Sequence, residues 1–123
     1  MIHTKYTALV SLKPTSKYSW YGTEYSGLQW VSSDTKPTES EIDAELTRLT
    51  NAEPMKLLRI ERDSRLTACD WVITMHKELG TNIPAAWKTY RQALRDLPAS
   101  ASPSLDSNYN LDLTSVTWPT EPS

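Results

Sequence analysis

A chain of 123 residues suits one domain, or one domain with an appendage, long enough to bury a modest core without disulfide or metal staples. A formal net charge of −2, with basic residues scattered, argues against nucleic acid and against an anionic membrane as partners. The lone Cys69 excludes an intrachain disulfide and all zinc-binding cysteine spacings.

The N-terminal "MIHTKYTALVSLK" has neither the apolar core nor the small-residue cleavage site of a secretory signal. No apolar run reaches bilayer length. Both features lead us to expect a chain made in a reducing cytoplasm. Within "TALVSLK", Ala8, Val10 and Leu12 alternate, with Leu9 the exception, and this predicts a strand over about 6–12. Further strands are expected at 18–21 and 28–32, with turns near Pro14 and at Gly22–Gly27. The chain has no phenylalanine but five tryptophans and six tyrosines. Such rings carry a polar group that needs a partner, so they favour half-buried positions and interfaces. Trp20, Tyr21, Tyr25 and Trp30 are too many to be interior in so short a segment and are candidate partner-binding residues.

"DTKPTESEIDAEL" announces a helix. Thr38 and Glu41 stand at capping-box spacing, acids crowd the first turn, and Ile42, Leu46 and Leu49 follow at helical spacing. Pro54 is expected to break or kink this helix around 51–54. A second stretch starts near 55, with Leu57 or Leu58, Ile60, Leu66 and Ala68 offered as its inward face. Then "DWVITMHKELG" places Trp71, Met75 and Leu79 at i, i+4 and i+8, ahead of a Gly80 C-cap. In the last helix Ile83, Trp87, Tyr90, Leu94 and Leu97 form one seam, which Pro98 should end. "ASASPSLDSNYN" reads as a loop. "LDLTSVTW" reads as a short strand through Leu111 and Leu113 that, with Trp118, is a further candidate for adding to a neighbour.

The expected fold is therefore α+β: a short antiparallel β unit at 1–33, a helical hairpin or small bundle at 34–98, and a linker with a strand-like tail at 99–123. Arg91 lies beside the aromatic seam of Trp87 and Tyr90. Asp63 and Asp70, next to Trp71, lie on the preceding helical segment. A charge pair clasping the helices follows, since removing one partner of a buried pair is costly.

Catalysis finds no support. Cys69 has only His76 at i+7, too far along a helix to act as its base. His3 and His76 have no ligands in metal spacing. Glu39, Glu41, Asp43 and Glu45 fit a solvated helix start. Neither a cofactor nor a metal is expected.

"RDSRLTACDW" (62–71) followed by "AWKTYRQALRDLP" (86–98) resembles the paired signature of the bacteriophage tail assembly chaperone-like and tail fibre assembly proteins, R-D-x-L-L-x-x-x-D-W and then W-x-x-Y-R-Q-A-L-R-D. Arg62, Asp63, Leu66, Asp70 and Trp71 fit the first half. Trp87, Tyr90, Arg91, Gln92, Ala93, Leu94, Arg95 and Asp96 fit the second. Arg65 stands where the family pattern has leucine, which implies that this side of the helix is exposed here. The resemblance implies a non-enzymatic role beside a phage tail or tail-fibre protein, with self-association possible. The chain would either stay in the tail of the virion as a structural adaptor, or act in the host cytoplasm as a transient assembly chaperone.

Overall fold

The computed structural model describes residues 3–123. The fold is α+β, and the chain forms two compact units that divide between Glu53 and Pro54. The segment 34–98 thus contributes to both, and 99–123 belongs to the second.

The first unit opens with a helix where the sequence suggests a strand. α1 spans Lys5–Leu12. Its N-cap is a reciprocal box: the Thr4 hydroxyl accepts from the Thr7 N–H at 3.4 Å and the Thr7 hydroxyl accepts from the Thr4 N–H at 2.8 Å. Burial of Ala8 and Leu9, with Leu12 packed beside them, follows a helical face rather than alternation. Leu9, the exception to the strand pattern, and the Thr4–Thr7 pair are its local signs.

β1 (Tyr18–Trp20) and β2 (Leu28–Trp30) form an antiparallel pair in the register Tyr18 to Trp30 and Trp20 to Leu28, where the aromatic pattern places strands. The connection is drawn tight by Tyr21 N–H donating to the Gly27 carbonyl at 3.0 Å. A Cβ on Gly27 would lie 1.8 Å from the Tyr21 carbonyl oxygen, so only glycine fits there.

α2 covers Glu39–Ala68. The Thr38 hydroxyl accepts from Glu41 N–H at 3.1 Å, as the capping spacing suggests. In the first unit Ile42 is fully buried against Ala8, Leu9 and Leu28, with Leu46 and Leu49 alongside. Near the end of this part the His3 ring lies 3.1 Å from the Glu53 carboxylate.

The helix does not break at Pro54 but runs through it. A ring in a helix interior forfeits one hydrogen bond and costs about 3 kcal/mol in an isolated helix. Here the apolar faces before and after the proline are each packed into a core, which outweighs local propensity. The compact units nevertheless part at this residue.

In the second unit α2 contributes Leu58, fully buried, and Leu66. Ile60 and Ala68, expected inside, are exposed. α3 spans Asp70–Leu79 and ends on Gly80 at φ 69°, as a C-cap glycine should. α4 spans Ala85–Ser100, two residues past the expected stop at Pro98. A proline this close to a C-terminus costs only one carbonyl partner, and Ala101 N–H still donates to the Leu97 carbonyl at 3.0 Å. The seam on α4 is as expected: Tyr90 and Leu94 are buried, and Trp87 packs beside them with Cys69 and Leu66.

After α4 the chain makes no strand. A single bridge joins Leu105 to Leu111, and Leu113–Ser115 is one 3-10 turn. Asp106 accepts from the N–H groups of Asn108 and Asn110 at 2.8 and 3.0 Å, and Asp112 accepts from Thr114 N–H at 3.0 Å. These side-chain bonds serve the backbone in place of a ladder.

Candidate protein-docking surfaces

In the first unit the aromatic residues singled out for docking are mostly tied inward. Trp20, Tyr25 and Trp30 pack against the core of Ala8, Leu9, Leu28 and Ile42. Each gives its polar group to a carbonyl: Trp20 to Glu24 at 2.9 Å, Trp30 to Asp34 at 2.7 Å, and Tyr25 to Pro37 at 2.7 Å. Tyr18 stacks on Trp30 at a centroid distance of 6.0 Å, and burial pushes its hydroxyl above the ordinary 10.0. Lys36 lies 4.8 Å above the Tyr25 ring. Tyr21 alone of the four points outward, 69% exposed.

The C-terminal candidates divide as well. Trp118 folds back onto the Cys69–Tyr90–Leu94 core, donates to the Leu113 carbonyl at 3.2 Å, and lies 4.0 Å beneath the Arg65 guanidinium. Arg65, whose position the sequence suggests is exposed, is thereby covered by the chain's own tail. It also pairs with Glu61 at 3.0 Å. Val116 is buried. Leu111 is half-buried in its bridge, and Leu113 is exposed.

The clasp forms around Arg91 with one of the two expected carboxylates. The guanidinium reaches Asp70 at 2.9 Å and donates to the Leu66 carbonyl at 2.9 Å and to Cys69 Sγ at 3.0 Å. Burial by itself would lower its pKa, but the bonds to Cys69 and Asp70 prevail and hold it above the ordinary arginine value. One side chain thus satisfies the end of α2 and the start of α3 together. Asp63 stands apart, bound at 3.0 Å to its neighbour Arg62. Trp71 meets the Trp87 ring edge-on at 6.4 Å, and Trp87 meets Tyr90 at 6.0 Å.

That aromatic series ends at the surface. Trp71, Met75 and Leu79 are 59%, 36% and 67% exposed, and α3 turns Val72 inward instead. The spacing of i, i+4 and i+8 is a stripe, and it faces outward. With Val72 and Ile73 also apolar, α3 offers two faces, and nothing local says which one is covered. The stripe is about 12 Å long at 1.5 Å per residue and presents roughly 300 Å² of apolar surface.

Cys69 is buried against Arg91, with no histidine among its hydrogen-bond partners. Among the described residues no three His, Cys, Asp or Glu side chains gather where they could hold a metal, and no helix is long and apolar enough to cross a membrane. What the second unit offers is an exposed apolar helix face on a packed scaffold.

A family model described as phage tail assembly chaperone protein matches residues 55–123. The match covers more than half of the chain, and the protein belongs to that family. Its role is accordingly tail-related and non-enzymatic. Comparison with curated proteins and with solved structures gave no match.

Proposed function

We propose that the protein is an assembly chaperone that holds a tail or tail-fibre polypeptide through the stripe Trp71–Met75–Leu79. The observation that carries this reading is the exposure of three large apolar side chains in line on α3, inside the segment matched by the family model. Contiguous exposed apolar surface of this size is often functional, and Trp is enriched among residues that dominate binding energy. A stable dimer buries about 800 Å² per partner, more than twice the stripe. The stripe instead suits a short apolar segment of another chain, two or three side chains long.

The test is co-expression of the full chain with each tail and tail-fibre protein of its phage, followed by co-purification. Trp71→Ser with Met75→Ser should abolish recovery of one defined partner while leaving the helix content unchanged. Undiminished recovery would remove the stripe from the mechanism.

A second reading, a tail adaptor retained in the virion, is favoured by the C-terminal segment. Val116 and Trp118 are packed into the second unit's fold rather than left as a loose arm. Mass spectrometry of purified particles separates the two. A fixed copy number per virion supports the adaptor, and presence in infected cells with absence from particles supports the chaperone.

A further inference from the structure

The first unit, which lies before the segment matched by the family model, carries a second feature that the stripe on α3 does not explain. The ladder bonds between β1 and β2 run through alternate residues: Val31 N–H donates to the Lys17 carbonyl and Tyr21 N–H to the Gly27 carbonyl, both at 3.0 Å. With Tyr18 opposite Trp30 and Trp20 opposite Leu28, antiparallel alternation turns the N–H and C=O of Tyr18 and Trp20 away from β2. No described group of the protein hydrogen-bonds to them.

The two edges of this small sheet are treated differently. On β2, Leu28 N–H donates to the Tyr25 carbonyl and the Leu28 carbonyl accepts from Lys36 Nζ at 3.3 Å, so that edge is partly closed. Along β1 lies an open cavity of about 560 Å³, walled on one side by Thr4, Lys5 and Tyr6 and on the other by Lys17, Tyr18 and Trp20. No β2 residue lines it. An edge strand with unpaired main-chain groups is a template for another strand, and this one has room beside it in the size range of binding pockets.

The charges in the cavity select its occupant. Lys5 is held by Glu39 at 2.8 Å and Asp43 at 3.7 Å. Lys17 has no acidic partner among the described residues and stands at the end of the edge. We propose that β1 takes an extended segment of a partner polypeptide as a third strand, two alternate residues of that segment bonding to Tyr18 and Trp20 with an acidic side chain beside Lys17. A second copy of this chain is a poorer occupant, because pairing β1 with β1 would bring its own α1 wall into the same cavity. The site stands on the first unit alone, so its failure would leave the reading of α3 untouched.

The test uses the full chain, isotope-labelled, and an acetylated, amidated hexapeptide alternating glutamate and valine. Amide exchange at Tyr18 and Trp20 should slow about tenfold or more at saturation, as hydrogen bonding requires. N-methylating the three glutamates, or in a separate peptide the three valines, blocks one set of donors at a time. One methylated peptide should bind like the parent and the other about tenfold more weakly or worse. Lys17→Glu, an exposed change, should weaken the glutamate peptide and strengthen a lysine–valine counterpart, each by about threefold. Equal binding by both methylated peptides, or peptide binding without slowed exchange at Tyr18 and Trp20, would overturn the proposal. So would concentration-dependent slowing at these amides without peptide, with a dimer mass by light scattering, since the occupant would then be a second copy.

Discussion

The two units use aromatic side chains in opposite ways. In the first, Trp20, Tyr25 and Trp30 each lie on the core and close a hydrogen bond to a nearby carbonyl. Polar handle and ring are both spent on the fold, and what stays open is main chain at the edge of β1. In the second, the series Tyr90, Trp87, Trp71 runs from buried to exposed, and what stays open is side chain. A Trp or Tyr in a sequence therefore says little about docking until the fate of its N–H or O–H is known.

The largest effects should fall in the two cores, where the units are expected to behave alike. Ile42→Ala and Leu94→Ala each empty a fully buried site and should cost about 2–5 kcal/mol, read by denaturant unfolding. Amide exchange should show the loss in the unit that carries the substitution. The same cooperative loss throughout the chain from either variant would erase the distinction between them.

The tryptophans should then separate the units. Trp20→Ala or Trp30→Ala should destabilise by about 2–3 kcal/mol, below the range for a fully buried ring because both are half-buried. Trp71→Ala should cost under about 1 kcal/mol while removing partner recovery. Loss of stability at Trp71 with recovery intact would invert the comparison.

Smaller still is the clasp. Arg91→Met keeps the stem but removes one donor from the Leu66 carbonyl, which keeps the Cys69 N–H at 3.2 Å, and leaves Asp70 without its partner, for about 1 kcal/mol. Asp70→Asn should cost no more than about 1 kcal/mol, because that carboxylate is largely exposed. A double-mutant cycle measures the coupling directly.

Acid should act first on the first unit. The Ser16 hydroxyl, and after it Lys13, hold the Asp34 carboxyl below its ordinary 3.8. Arg48, and after it Ser11, hold Glu45 below 4.5. A depressed folded pKa means stability that is present above the ordinary value and lost as pH falls through the folded one. Protection factors in the β1–β2 region and at the start of α2, taken relative to the slower intrinsic exchange in acid, should therefore fall below about pH 4. Ser16→Ala should flatten that dependence, whereas an unchanged profile would remove the Asp34 tie from the account.

Much of the fold was legible because its signals are local. Thr38 ahead of Glu41, Gly80 after Leu79 and the seam on α4 rest on hydrogen bonds and spacings within a few residues. The misreadings have two causes: packing that overrides local preference, and local side-chain bonds to the backbone that the apolar pattern does not show. Pro54 sits inside a helix anchored on both sides, and Lys5–Leu12 coils because a threonine box starts it and Ala8 and Leu9 both face the core. The strand expected over Leu111 and Leu113 gave way to turns closed by Asp106 and Asp112. For the candidate surfaces, the stripe Trp71–Met75–Leu79 was visible as periodicity, but its outward direction was not.

By itself the sequence determined the α+β class, the helix starts and stops marked by Thr38 and Gly80, the seam of α4, and the paired motifs that resemble a phage tail assembly family. These depend on backbone geometry and on the 3.6-residue period, which a chain carries with it. Only the tertiary structure decided which apolar face of α3 is covered, that Arg91 joins Asp70 and not Asp63, and that the edge of β1 stays open while that of β2 is partly closed. Those outcomes depend on which distant residues arrive beside a surface, and burial is settled by neighbours rather than by the segment that is buried.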